Sequence, residues 1–148
     1  MRDKKTIVIC CSAAFYKRAN ELAEELEKLG HTAVVPSTAI RMKKENNYDV
    51  PRVKAWYREP KLFVRKRSLA GEHFNKVAKG DAILIINDDK PDHPRYIGPN
   101  TTMEWGLAYY LNKPIFILHG VPKDHHYHEE VYGMSTAVLD GDLSKIKL

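Results

Sequence analysis

The segment DAILIIND, residues 81–88, carries the clearest fold signal in the chain. Its residues 82–86 are all apolar, without the alternation of polar and apolar side chains that a half-exposed strand shows. A strand of this kind is expected where both faces of a sheet are covered, as in parallel sheets flanked by helices. The segment therefore predicts the central strand of an α/β protein.

Other short apolar runs alternate with helical patterns along the chain. The predicted strands are TIVICC (residues 6–11), HTAVVP (31–36), DAILIIND, PIFILHG (114–120) and TAVLD (136–140). Helices are predicted in residues 12–30, 61–80, 101–113 and about 129–133, mainly from apolar residues at helical spacing. We therefore predict one domain over residues 1–148, a flavodoxin-like or Rossmann-like three-layer sandwich. Its five parallel strands would have the order 2-1-3-4-5.

Residues 37–61 do not fit this alternation. They are polar, contain Asn46 and Asn47, and have prolines at positions 51 and 60. We interpret them as an insertion or flap with one helical turn at most, because loops of this length are usually functional or mobile. Gly71, inside the helical pattern that follows, weakens the prediction of one unbroken helix there.

The composition is that of a globular domain, with 43% hydrophobic and 29% charged residues among 148. No apolar run reaches the ~18 residues of a membrane-spanning helix, and the N-terminus lacks the layout of a signal peptide. The adjacent Cys10 and Cys11 would point to opposite faces of a strand and fit a reducing compartment, so we predict a cytoplasmic protein. The formal net charge of +5 weakly favours anionic partners.

In a sheet of this order, ligands bind at the carboxyl ends of the strands, between strands 1 and 3. The residues predicted to bind a ligand there are Ser12, Phe15, Asn87, Asp89, Gly98, Asn100, Thr101 and His119. Asp88 and Asp89 end the central strand, and one of them is expected near the ligand. The alternative for this pair is a solvated turn.

Glu104 admits two interpretations. With Thr101 it matches a capping box, in which a Thr at the N-cap is paired with a Glu three residues later. The glycine at position 98 and the exposed N–H groups of a helix N-terminus instead suit a ligand at this turn. A carboxylate at the ligand-binding edge of the sheet could serve both purposes, so both interpretations stay open.

Two segments, HFNKVAKGDAILIINDD (73–89) and YIGPNTTMEWGLAYYLNKPIFIL (96–118), resemble the nucleoside 2-deoxyribosyltransferase-like superfamily, which includes deoxynucleoside monophosphate N-hydrolases. The opening IVICCSAAFYKRANELAEELEKLGHTAVVP (7–36) resembles its first β-α-β unit. The shared pattern is a strand, a loop of small residues and a Glu that begins a helix and is followed by Gly, here Glu104 and Gly106. A related pattern, a glycine-rich turn ending in Thr-x-x-Glu, occurs in the cytokinin-activating phosphoribohydrolases.

The resemblance implies an N-glycosidase or a nucleoside deoxyribosyltransferase. The Glu matching Glu104 attacks the sugar C1′, displaces the base and forms a glycosyl ester, which water or a second base resolves. It also implies catalytic roles on the base side for Asp88 or His73, a small-molecule nucleoside or nucleotide ligand, no cofactor and no metal. A homo-oligomer is expected because related enzymes complete their sites across subunit contacts.

The chain departs from the family pattern at three places. His73 stands where an Asp is common, Gly98 stands six residues before the Glu where some transferases have another Asp, and Cys11-Ser12 replaces an expected Gly-Ser turn. These changes leave the transferase activity and the preferred base open. A non-catalytic nucleotide-binding module and a phosphoribohydrolase are the alternatives. For His73 the competing interpretation is a packed residue, and its near-neutral ordinary pKa is what favours catalysis.

Residues 51–68 contain seven basic residues, one acid and three aromatic residues. A mobile flap that stacks on a base and binds a phosphate, or a solvated helix face, explains the pattern better than a nucleic-acid surface, so no nucleic acid is expected. The His-rich segment DHHYHEE (124–130) lacks a standard zinc spacing and predicts a surface turn.

Overall fold

In the computed structural model, residues 3–148 are described, and the first two residues of the N-terminal stretch interpreted above lie outside that range. The strands are β1 (Thr6–Cys10), β2 (Thr32–Val34), β3 (Ala82–Ile85), β4 (Ile115–Ile117) and β5 (Ala137–Val138). The helices are α1 (Tyr16–Lys28), α2 (Ser37–Glu45), α3 (Val50–Val53), α4 (Phe63–Lys79), α5 (Pro99–Tyr110) and α6 (His128–Gly133). Short 3-10 turns occupy Ala13–Phe15, Ala55–Tyr57, Pro60–Leu62 and Leu143–Lys145.

The five strands form one parallel sheet in the order β2-β1-β3-β4-β5. The predicted α/β fold and strand order are confirmed. The carboxyl ends of β1 and β3 lie side by side, with Cys10 paired to Ile85. Chain segments that follow these two strands therefore leave the sheet at the same edge.

Two apolar clusters cover the two faces of the sheet. Ile7 and Ile9 of β1 pack in the cluster that contains the buried side of α1, whereas Val8 and Cys10 pack with residues of α4 and α5. This alternation follows from the pleat of a strand. Cys11 belongs to the first cluster and Cys10 to the second, and both are free thiols, as their adjacency predicts.

The insertion is more helical than predicted. Residues 37–61 contain two α-helices and most of two 3-10 turns, not a loop with one helical turn. Local capping explains the difference, because Asp49 accepts a hydrogen bond from Arg52 N at 3.1 Å at the start of α3, and Asn46 adopts a left-handed conformation that ends α2. Such short helices leave little periodicity to detect.

Helices α4 and α5 also differ from prediction. Helix α4 runs unbroken through Gly71, because the buried His73 and Val77 hold its inner face. Helix α5 begins at Pro99 instead of Thr101, with Gly98 as an N-cap that makes no side-chain hydrogen bond. A proline is favoured at the first position of a helix, where its missing N–H has no intrahelical role. Among residues 3–148, no helix combines the length and apolar character needed to span a bilayer.

Candidate functional site

A cavity of about 260 Å³ opens at the carboxyl edge of the sheet, beside the residues that follow β1 and β2. Its walls come from these residues, the inner face of α4, the first turns of α5 with the loop before it, and the 53–57 stretch of the insertion. Of the predicted site residues, six line it: Ser12, His73, Gly98, Asn100, Thr101 and Glu104. These segments are far apart in sequence and meet because the sheet order brings β1 and β3 together.

Glu104 lies in the wall of this cavity and is only 6% exposed. Because α5 begins at Pro99, Glu104 is the sixth residue of the helix and does not form the capping box. The capping interpretation is therefore wrong. Burial raises the pKa of Glu104 to about 7, an effect partly offset by the adjacent Cys10 thiol and by Lys66. A carboxylate so placed is poorly solvated and ionises near neutral pH, which suits attack on a ligand in the cavity.

His73 projects from α4 into the same region. Its Nε2 lies 3.0 Å from the carbonyl oxygen of Ile9, and its Nδ1 is buried with no partner among the described residues. A carbonyl oxygen only accepts, so Nε2 carries the proton and Nδ1 presents a lone pair. Burial lowers the pKa of His73 to about 4. The expectation of a near-neutral pKa is wrong: at pH 7 His73 is neutral, with its proton on Nε2 and none to donate at Nδ1.

Cys10, His73 and Glu104 form the one buried group in residues 3–148 whose possible ligand atoms, one from each side chain, all lie within 4.8 Å of one another. Sulfur, nitrogen and oxygen donors of this kind can hold Zn²⁺. However, Nε2 of His73 is engaged by Ile9, and burial followed by the charge of Glu104 raises the pKa of the Cys10 thiol well above its ordinary value. The arrangement suits a protonated thiol beside a carboxyl group, and the absence of a metal stays a prediction.

A second cluster of predicted site residues lies outside the cavity wall. The Asn87 amide donates to the His119 carbonyl at 2.7 Å and accepts from the His119 N–H at 2.9 Å. His119 Nε2 lies 2.8 Å from Asp88 Oδ1, and Arg18 Nε lies 3.6 Å from Asp88 Oδ2. These contacts tie the ends of β3 and β4 together and occupy the Asp88 carboxylate.

Asp89 and Phe15 are likewise absent from the lining. Asp89 accepts a hydrogen bond from Arg95 N at 2.8 Å and so shapes the loop that follows β3. Phe15 packs edge-on against Tyr96, with ring centroids 6.5 Å apart, and Tyr96 lines the cavity. Phe15 thus reaches the site only through Tyr96.

Several lining residues were not named as site residues. Lys54, Trp56, Tyr57, Lys66 and Tyr96 all contribute to the cavity wall. The first four lie in residues 51–68, for which a flap over a base and a phosphate was one of the interpretations. Lys66 could have been found from the helical period, since it lies seven residues before His73 on α4 and therefore shares its face. Tyr96 gave no signal, because a loop position has no periodicity.

The histidines of residues 124–130 make local contacts. His125 Nε2 lies 2.9 Å from the carbonyl oxygen of Arg95, and His128 Nδ1 lies 3.1 Å from that of Pro122. These bonds hold the turn that precedes α6, and this segment contributes nothing to the metal-ligand group described above.

No protein-family model and no curated protein matches the sequence. Among solved structures, the chain is similar to the CMP N-glycosidase BcmB of Clostridium botulinum. The sequence identity is 14%, the TM-score is 0.49, and the match covers 92% of this chain and 89% of that one. A similarity at this level bears on neither the reaction nor the substrate of this protein.

Proposed function

We propose that the protein cleaves, or exchanges, the N-glycosidic bond of a nucleoside or nucleoside monophosphate, with Glu104 as the nucleophile. One observation carries the proposal: a buried carboxyl group in the cavity wall that caps no helix and whose pKa lies near 7. The sequence resemblance, which implies an attacking Glu at this position, supports the same assignment.

In the proposed reaction, a carboxylate oxygen of Glu104 forms a bond to C1′ while the bond from C1′ to the base nitrogen breaks. The electron pair leaves with the base, which takes up a proton from the solvent, and the sugar remains as an ester on Glu104. Water, which gives up a proton to the solvent, or a second base then attacks C1′, and the ester bond breaks to release the carboxylate. This is the two-step course of retaining glycosidases.

The other cavity residues have supporting roles in this proposal. Ser12, Asn100 and Thr101 would orient the sugar, and the rings of Trp56 and Tyr57 offer aromatic surface to a base. His73 would accept a hydrogen bond from a ligand hydroxyl or amine at Nδ1 instead of protonating the base. The proposal gives Asp88 no role at the base, because His119 binds its carboxylate outside the cavity wall.

The test compares the wild type with Glu104→Gln, which keeps the shape of the side chain and removes the nucleophile. Wild-type protein should release free base from at least one member of a panel of ribo- and deoxyribonucleosides and their 5′-monophosphates. The variant should lose this activity by roughly 10³-fold or more and still bind the same ligand. Glu129→Gln, at an exposed carboxylate in the first turn of α6, is the matched control and should keep full activity.

The outcomes separate the alternatives. A wild type that binds nucleotides but releases no base from any panel member would be a binding module. Cleavage confined to ribonucleoside monophosphates would indicate a phosphoribohydrolase. Undiminished base release by Glu104→Gln would contradict the role of Glu104 itself.

A further inference from the structure

Two lysines in the cavity wall have no acidic partner. Lys54 lies between α3 and the next 3-10 turn, and Lys66 lies in the first turns of α4. In residues 3–148 the lysines that form ion pairs are Lys43, Lys61, Lys76 and Lys145. Lys54 and Lys66 are both partly buried, and neither amine donates a hydrogen bond to another described residue.

The surroundings of these two amines disfavour their charge. Burial, and then the nearby Lys90, lower the pKa of Lys54. Burial, and then Lys54, lower the pKa of Lys66, while Glu104 acts in the opposite direction. Lys90 itself lies over the Tyr96 ring, 4.2 Å from its centroid. Partly desolvated like charges that face one cavity are stabilised when an anion enters it.

The N-terminus of α5 faces the same cavity. Its N-cap residue is Gly98, which has no side chain, so no capping side chain binds the first N–H groups of this 12-residue helix. Thr101 is 1% exposed, lines the cavity, and its Oγ1 is buried without a hydrogen-bond partner in residues 3–148. A buried hydroxyl of this kind normally has a partner, and helix N-termini attract anions.

We propose that Lys54, Lys66 and the first turn of α5 form a phosphate-binding subsite, so that the substrate is a nucleoside monophosphate and not a free nucleoside. The inference rests on the proposed function for the nucleoside part of the ligand. A phosphate monoester carries about −1.5 to −2 charges at pH 7 and offers three acceptor oxygens. That charge matches two ammonium groups, and the oxygens match Thr101 Oγ1 and the free N–H groups.

The subsite also gives the insertion a function. Lys54 is contributed by the insertion and Lys66 by α4, so a phosphate between them would draw the 53–57 stretch toward the rest of the cavity wall. Trp56 and Tyr57 belong to that stretch. Binding of the phosphate therefore places their rings beside the base of the same ligand.

Calorimetric titration in the Glu104→Gln background tests the proposal without turnover. The probes are adenosine, cytidine and their deoxy forms, each with and without a 5′-phosphate, and inorganic phosphate as a competitor. The best monophosphate should bind about tenfold or more tightly than its own nucleoside, as expected for hydrogen bonds to a charged group. Adding Lys54→Met and Lys66→Met should reduce this preference to about twofold or less, and Lys66→Arg alone should preserve most of it.

Lys61→Met is the matched control, because Lys61 lies in the same region, is highly exposed and pairs with Glu59. It should leave the phosphate preference unchanged. Equal affinity for nucleoside and monophosphate, or a preference that survives the double lysine variant, would overturn the subsite. Binding of monophosphates without base release by the wild type would support the subsite and reject the glycosidase. Cleavage of nucleosides and monophosphates with equal efficiency would support the glycosidase and reject the phosphate subsite.

Discussion

Glu104 and His73 are both held toward their neutral forms by burial. The pKa of Glu104 rises to about 7, and that of His73 falls to about 4. Each shift is a cost in stability at the pH where the unfolded chain would ionise the group freely. For Glu104 that cost begins above its ordinary pKa of 4.5 and is complete once the pH has passed about 7. For His73 it appears as the pH falls from 6.5 toward 4.

Replacing Glu104 by Gln should therefore stabilise the protein in a pH-dependent way. The difference in free energy of unfolding between the variant and the wild type should be up to about 3 kcal/mol more favourable to the variant at pH 8 than at pH 4.5. The reason is that the variant never buries a charge at this position. Urea unfolding of both proteins at the two pH values measures the difference. The His73 contribution is common to both proteins and cancels. A wild-type-to-variant difference that does not change with pH would show that Glu104 is not desolvated.

The same shift sets the pH dependence of the proposed reaction. Only ionised Glu104 can attack C1′, so kcat/KM for base release, which reports the free protein, should rise with pH and level off above about 7. Initial rates at substrate concentrations well below KM, measured from pH 5 to pH 9, give this profile. A rate that falls over the same interval would indicate that a protonated group, not the Glu104 carboxylate, limits the reaction.

At this scale the sequence singled out Glu104 as a candidate site residue but did not predict its environment. The strand, the loop and the following Gly106 were enough to make it a candidate. Its burial, in contrast, depends on Cys10, His73 and Lys66 from other segments. Asn87, Asp88 and His119 were correctly predicted at the carboxyl ends of strands. However, they hydrogen-bond to one another and do not line the cavity. Sequence position locates an edge of the sheet, but side-chain packing decides which residues face the ligand.

Two glycines, Gly71 within α4 and Gly80 directly after it, have opposite roles. A Cβ added at Gly80, just after the helix, would lie 2.5 Å from Cγ2 of the fully buried Val8. A Cβ added at Gly71, within the helix, would meet nothing within 4 Å. Gly80 thus allows α4 to end close against β1, whereas Gly71 has no steric reason to be glycine.

Gly80→Ala should destabilise the protein by about 1–3 kcal/mol, because a buried valine cannot move away freely. Gly71→Ala should stabilise it by about 0.5–1 kcal/mol, since alanine loses less conformational freedom in a helix. Thermal and urea unfolding of the two variants beside the wild type provide the measurement. Comparable effects of the same sign would contradict this assignment.

Element boundaries were the weakest part of the sequence prediction. The strands and long helices were found because hydrophobic periodicity extends over several turns or a full strand. Helices α2 and α3 were missed because polar residues and short length hide their period, and the two-residue error at the start of α5 produced the wrong capping box for Glu104. Attention to N-cap residues and to prolines at first helical positions would have revealed the short helices and the correct start of α5.

On the scale of the whole molecule, α5 carries exposed apolar side chains next to the site. Met103, Tyr109 and Tyr110 are at least half exposed, and Tyr110 is 81% exposed. Exposed apolar groups gathered on one helix often mark an interface. The oligomer expected from the sequence resemblance stays a prediction, and this face is where we expect a second copy.

Tyr110→Glu should therefore lower the mass measured by light scattering after size exclusion, from that of an oligomer to that of one chain. Leu29→Glu, at an exposed apolar residue beside the end of α1, is the matched control and should leave the mass unchanged. A wild type that elutes as a single chain at all concentrations tested would refute the expected self-association.

The α/β class and the strand order were within reach of the sequence because right-handed crossovers and strand adjacency leave few topologies for five alternating strands. The walls of the cavity were only partly so: six predicted residues line the cavity, but the walls also combine an insertion, a helix face and a loop that no periodicity links. In the proposed reaction the attacking carboxylate comes from α5, whereas the aromatic rings offered to the base come from the insertion. On this proposal, replacing residues 50–62 would alter which nucleotide is accepted while the bond that breaks remains the same, a division that allows new specificities to arise without rebuilding the chemistry.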